Sequence, residues 1–144
     1  NIQIETFYFQ DLIINGYPNE FLQVIINILN NAKDALVQIE KNQRFIEIRT
    51  YIKNKRCYVE ILDNGGGVDE NIISKVFEPY FTTKHKYQGT GIGLYMSHQI
   101  IVEHMKGSIY LKNIEIEKND KLFKGCCVTL EIPTKKENFT DYII

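Results

Sequence analysis

From Pro18 onward, apolar side chains recur at Phe21, Leu22, Val24, Ile25, Ile28, Leu29, Ala32, Ala35, Leu36 and Ile39. Spacings of three and four over about 20 residues predict one long amphipathic helix. Pro18 suits its first turn, where no N–H is needed, and Glu20 favours the positive end of the helix dipole. The period then switches to two. Phe45–Ile52 and Cys57–Asp63 alternate apolar with polar, and Lys53-Asn54-Lys55-Arg56 between them predicts a hairpin. Leu94, Tyr95, His98, Ile101, Val102 and Met105 restore helical spacing, with Gly107 as the expected C-cap. Strands are expected over 108–114 and 126–132, around a charged loop, Glu115–Lys124. Residues 2–8 and 11–14 read as short strands, 69–76 as a short helix ahead of Pro79, and 80–90 as a loop. Helices mixed with consecutive hairpin strands predict an α/β sandwich, with the helices layered on one face of a mostly antiparallel sheet.

Composition narrows the picture. At 144 residues and 44% hydrophobic, with no internal repeat, the chain fits one globular domain with a proper core. A net charge of −1 gives no electrostatic reason to expect nucleic acid or a membrane surface as partner. No apolar run approaches the ~20 residues that span a bilayer, and the start is not a signal peptide. Cys57, Cys126 and Cys127 are odd in number and form no C-x-x-C pair, which argues against a disulfide framework or a zinc site. A reducing cytoplasmic compartment fits best. The first residue is Asn1, so a fragment of a longer protein is expected, with 134–144 as a loosely held tail.

Three polar boxes carry the chemistry. Asn27 and Asn31 stand four apart on the predicted helix and share a face, with Asp34 a turn further on. Their side-chain oxygens suit a hard cation such as Mg²⁺, although on their own a pair of asparagines reads more readily as solvent-facing helix residues. Asp63 ends a strand on the same face as Cys57, Val59 and Ile61. If that face is the core, the carboxylate is buried and needs a partner. As an acceptor it matches the exocyclic amino group of adenine and mismatches the carbonyl of guanine. Gly65 and Gly67 allow close backbone approach, although Asp-Asn-Gly is also an ordinary turn. Gly89-Thr90-Gly91-Ile92-Gly93-Leu94 runs into the second helix, a plausible phosphate seat and a hinge for a lid over 80–90. It is neither a P-loop nor a Rossmann fingerprint.

Together these stretches resemble the catalytic ATP-binding domain of sensor histidine kinases, within the gyrase, HSP90, histidine kinase and MutL (GHKL) group. The matching segments are Pro18–Leu36, Asp63–Val68, Val76-Phe77-Glu78-Pro79-Tyr80-Phe81-Thr82-Thr83-Lys84 and Gly89–Leu94. Ile100–Gly107 and Gly125 through Pro133 match as well, so the likeness covers roughly residues 11 to 133 of a single domain spanning 1–144. The resemblance implies the α+β Bergerat fold, a mixed five-stranded sheet under about three helices, with an ATP lid.

It also implies roles. Asn31 would coordinate Mg²⁺, with Asn27 beside it near the phosphates. Asp63 would read adenine, and Gly65 and Gly67 would line the base pocket. Phe77 and Phe81 would anchor the arms of the lid. Gly89, Thr90, Gly91, Gly93 and Leu94 would wrap the triphosphate, and Lys84 would reach the β- or γ-phosphate. The ATPases of this group carry a glutamate where Asn27 stands, and an amide cannot act as a general base. Transfer of the γ-phosphoryl to a histidine is therefore implied, rather than fast hydrolysis. The acceptor histidine belongs to an upstream helical dimerisation domain. His85, His98 and His104 are in the wrong context, so that domain is absent from this chain. The implied partners are ATP, a phosphoacceptor domain and a downstream response regulator, with the fragment itself monomeric. Cys126-Cys127-Val128 departs from the usual Thr-x-Phe after Gly125. A GHL-type ATPase, an anti-sigma-like serine kinase and a catalytically dead scaffold stand as alternatives. Asn27 and a lid of only about ten residues oppose the first. The Phe77–Lys84 stretch favours the histidine kinase over the second, and the intact boxes oppose the third.

Overall fold

The computed structural model describes residues 1–9, 11–83 and 91–135. Five strands form one sheet: β1 (Gln3–Tyr8), β2 (Phe45–Lys53), β3 (Arg56–Asp63), β4 (Ser108–Lys118) and β5 (Lys121–Pro133), in the order β1-β2-β3-β5-β4. β1 runs parallel to β2 and every other pairing is antiparallel. The expected mixed, mostly antiparallel sheet is thus observed. The β2–β3 hairpin closes through Asn54 and Lys55, both with positive φ (50° and 61°), the conformation that a two-residue turn demands of its central residues.

Helix α1 (Pro18–Ala35) buries Val24, Ile28 and Ala32, and Leu36 in the following 3-10 turn extends the stripe at a spacing of four. Helix α2 (Gly93–Gln99) continues as a π-turn, Ile100–His104, that adds Ile100 and Ile101. Both helices pack on one sheet face, against Ile46, Ile61, Val128, Leu130 and Ile132. Fully burying side chains of this size is worth about 1.5–3 kcal/mol each, so this layer holds the domain together.

Five expectations are corrected. Among the described residues the sheet carries two α-helices rather than about three. The helix expected over 69–76 is only a 3-10 turn, Ile73–Lys75. Asp69 explains it: its side chain accepts the Asn71 N–H at 2.9 Å and its carbonyl accepts the Ile72 N–H at 3.0 Å, a local turn that competes with helix nucleation. Residues 11–14 make a single bridge, Ile14 to Thr134, because the chain leaves the sheet edge there to reach α1. Glu115–Lys124 is not a loop, since β4 and β5 run on to a two-residue turn at Asn119 and Asp120 (φ 52° and 59°). Ile114, Ile116 and Phe123 justify that extension by packing with Phe45, Leu62 and Cys127 in a second small core. Finally, Lys106, not Gly107, takes the left-handed conformation that ends the helix (φ 56°). Gly107 is needed for space, as a Cβ there would lie 2.3 Å from the Glu131 carbonyl oxygen.

Candidate functional site

A cavity of about 470 Å³ opens between α1, the sheet and the chain on either side of residues 84–90. Its inner end is built by β3. Asp63 lies on the core-facing side, as the alternation predicts, and is only 7% exposed. Its Oδ1 accepts the Gly65 N–H at 2.8 Å. Burial pushes its carboxyl up to about 6, with the Gly65 hydrogen bond pulling the other way. Beside it, in register, is Cys126, whose thiol is pushed well up by burial and by the Asp63 charge. The cysteine pair thus places a neutral, unreactive thiol on the cavity floor.

Two glycines permit this arrangement. A Cβ on Gly125 would fall 1.8 Å from the Asp63 carbonyl oxygen, and one on Gly65 would fall 2.7 Å from Ala35 Cβ. The first lets β5 pass the end of β3, and the second lets the end of α1 close on the turn.

Asn27, Asn30, Asn31, Asp34 and Ala35 line the helical wall, one face of α1. Asn27 ties the two helices together: its Nδ2 donates to the Gly93 carbonyl at 3.2 Å and to Ser97 Oγ at 3.3 Å, while its Oδ1 accepts from Gln23 at 3.0 Å. Ser97, wholly buried, donates in turn to the Gly93 carbonyl. Opposite stand Phe81, Thr82, Thr83, Gly91, Gly93 and Leu94. Tyr80 and Gly91 cross at the foot of this wall, the Tyr80 N–H donating to the Gly91 carbonyl at 2.9 Å. Gly91 has φ +70°, and a Cβ would lie 2.4 Å from the Tyr80 carbonyl carbon, so glycine is required at the crossing.

Of the residues singled out from sequence, the fold brings Asn27, Asn31, Asp63, Gly65, Gly67, Phe81, Gly91, Gly93 and Leu94 round one cavity. Phe77 packs against the core instead, its ring centroid 5.8 Å from that of His98. Lys84, Gly89 and Thr90 lie outside the described residues, as does His85. His104 pairs with Glu20, Nδ1 to Oε2 at 2.8 Å, far from the chemistry. The sequence reading missed three amides. Gln38 donates to the Gly65 carbonyl, and Asn113 holds Val68. Asn64, 1% exposed, bridges the Phe45 N–H and the Gln43 carbonyl. Asn113 left a signal, a polar residue on the apolar side of an alternating strand. Gln38 left none.

Among the described residues no cluster of His, Cys, Asp and Glu forms a metal cage. A divalent ion here would rely on amide oxygens and on its ligand's phosphates, a donor set that suits Mg²⁺. Among the described residues no helix is long and apolar enough to cross a membrane.

Comparison with known proteins agrees with this geometry. The family described as histidine kinase-, DNA gyrase B-, and HSP90-like ATPase matches residues 16–136. The two-component sensor PprA of Pseudomonas aeruginosa is 38% identical over 110 residues, 72% of this chain and 12% of that protein. Sporulation kinase A of Bacillus subtilis is 35% identical over 104 residues, 72% of this chain and 16% of that one. The chain therefore spans less than a fifth of the length of either relative. Among solved structures, the catalytic domain of histidine kinase ThkA superposes with a TM-score of 0.74 at 26% identity, covering 92% of this chain and 80% of that one.

Proposed function

The chain belongs to the histidine kinase-, DNA gyrase B-, and HSP90-like ATPase family, and from that premise we propose that it binds Mg-ATP and donates the γ-phosphoryl to a histidine on a separate dimerisation and phosphoacceptor domain of a sensor kinase. The observation that carries this reading is Asp63, a buried carboxylate facing one end of a cavity whose other end is rimmed by asparagines and glycines. A carboxylate held in low dielectric is costly unless it meets a donor, and the adenine amino group supplies one. Guanine would set acceptor against acceptor. The residues fit the nucleotide: Asp63, Gly65, Gly67 and Cys126 at the base, Asn27 and Asn31 toward the phosphates, and Phe81, Gly91, Gly93 and Leu94 on the lid side. By the family resemblance Asn31 is the residue for Mg²⁺, with Asn27, whose amide spans to Gly93 and Ser97, beside it. When bound, Mg²⁺ neutralises charge on the phosphate oxygens.

The transfer reading rests on Asn27. An amide engaged by Gln23, Gly93 and Ser97 cannot accept a proton from water, so hydrolysis is slow and the nucleotide waits for an acceptor. The protein's contribution is then positioning and exclusion of water, with Lys84 as the lid cation. A response regulator is the downstream partner.

Calorimetric titration with ATP and GTP, with and without Mg²⁺, tests the binding step. Adenine-selective, Mg²⁺-sensitive binding with negligible turnover is expected. Equal binding of both nucleotides, or ready hydrolysis, overturns the reading.

A further inference from the structure

Asn113 occupies a core-facing position in β4, following Ile109 and Leu111 at intervals of two. An apolar side chain belongs there by pattern, and what stands there is an amide. Its Oδ1 accepts the Val68 N–H at 2.7 Å. Its Nδ2 donates to the Val68 carbonyl at 2.6 Å and to Glu70 Oε1 at 2.8 Å. One primary amide thus takes both main-chain polar groups of a single residue, as a neighbouring strand would. The loop after Asp63 is also tied to β5, the Gly66 N–H donating to the Lys124 carbonyl at 3.0 Å. Asn113 secures the next stretch of the same loop.

The register explains why this tie bears on the cavity. Asn113 pairs with Cys126, and Cys126 pairs with Asp63, so amide, thiol and carboxylate stand at one level across β4, β5 and β3. Gly67 fits only because it has no side chain: its φ is +84°, and a Cβ would lie 2.6 Å from Asn113 Oδ1. Gly67 and Val68 line the cavity wall, whereas Asn113 stands behind it.

Resting on the adenine reading above, we propose that Asn113 is a positioning residue for the nucleotide: it fixes the Gly67–Val68 backbone and so sets the wall of the base end beside Asp63. It touches neither base nor phosphate. The phosphate end is framed by α1 and by Gly91–Leu94, which Asn113 does not contact, so its removal loosens the grip on the base alone.

The test is a pair of variants read in three ways. Asn113→Ala deletes all three hydrogen bonds. Asn113→Asp keeps the shape and the acceptor for Val68 while losing the donor and facing Glu70 with a like charge. In the alanine variant, amide exchange at Val68 accelerates at least about tenfold with the amides of β3 and β5 unchanged, which shows a broken tie in a folded domain. Mg-ATP binding weakens about tenfold, as expected when a buried polar contact is lost, while Mg-tripolyphosphate binds within about twofold of the parent. The aspartate variant moves both readouts the same way, and stands alone if the alanine variant does not fold. Faster exchange with unchanged ATP affinity overturns the positioning role, and so does parallel weakening toward ATP and tripolyphosphate. An unsubstituted chain that binds Mg-ATP no better than Mg-GTP brings down the adenine reading and this inference together. An adenine-selective chain whose variants keep full ATP affinity brings down this inference alone.

Discussion

Asp63 holds stability and binding in opposition. Its carboxyl titrates near 3.8 when exposed and near 6 when folded, because burial outweighs the one hydrogen bond from Gly65. The native state therefore binds this proton more tightly than the unfolded chain. The resulting stabilisation is complete below about pH 4, falls as pH rises through about 6, and amounts to about 3 kcal/mol. Asp63→Asn removes that pH dependence and melts higher than the parent at pH 7, while weakening ATP by about 1–3 kcal/mol through a mismatched partner. Thermal melts between pH 4 and 8 beside calorimetry on the same variant check both halves. An asparagine variant with unchanged ATP affinity would end the base-reading role. In the parent, Mg-ATP affinity declines as pH drops below about 6, since the neutral acid is a weaker acceptor for the adenine amino group than the carboxylate. Asp63 was legible because strand alternation puts it on the apolar side, and the same reasoning reaches Asn113. Gln38 was not legible: it is a polar residue at the end of the 3-10 turn after α1, and only the folded backbone shows that it meets Gly65.

At the scale of elements, both tight hairpins use non-glycine residues at positive φ. Asn54 and Lys55 close β2–β3, and Asn119 and Asp120 close β4–β5. Asparagine tolerates that region, whereas lysine pays for its Cβ. Lys55→Gly creates the Asn-Gly pair that such turns prefer and is expected to stabilise the domain by about 0.5–1 kcal/mol, read as a rise in urea midpoint at constant slope. A falling midpoint would mean that the lysine side chain matters more than the strain. Gly125→Ala should have the opposite outcome: the added Cβ lands 1.8 Å from the main chain of Asp63, so β5 must shift and the folded signal in circular dichroism is lost or the melt drops sharply. The long helix was legible because its period persists over 18 residues. The charged segment 115–124 was misread because glutamates and lysines suggested a loop, although Ile114 and Ile116 kept the period of two. Charge on the solvent side of a strand is ordinary, and the second core under Phe45 and Leu62 decides the matter.

At the scale of the molecule, the cavity lies between the helical layer and one sheet face, so its walls come from segments distant in sequence. Ligand binding should then stabilise the whole domain. Mg-ATP at about 100 times its Kd adds about 2.7 kcal/mol and a matching rise in Tm, while GTP at the same concentration adds little. Equal shifts with both nucleotides would show that the phosphates alone are recognised. Supplied with a helical phosphoacceptor domain, the chain should label a histidine there from γ-labelled ATP, and acid-stable label on the acceptor would favour a serine kinase instead.

The sequence by itself determined the boxes, their order and the faces on which Asn27, Asn31 and Asp63 stand, because period and glycine placement are local properties of the chain. It determined the β2–β3 hairpin and the two principal helices for the same reason. Tertiary structure alone decided that the described residues form two α-helices rather than about three, that Asn27 bonds Gly93 and Ser97 across 66 and 70 residues, and that Gln38 and Asn113 hold the glycine turn from two sides. Those contacts depend on where two distant backbones come to rest, and packing sets that position where no period in the chain can.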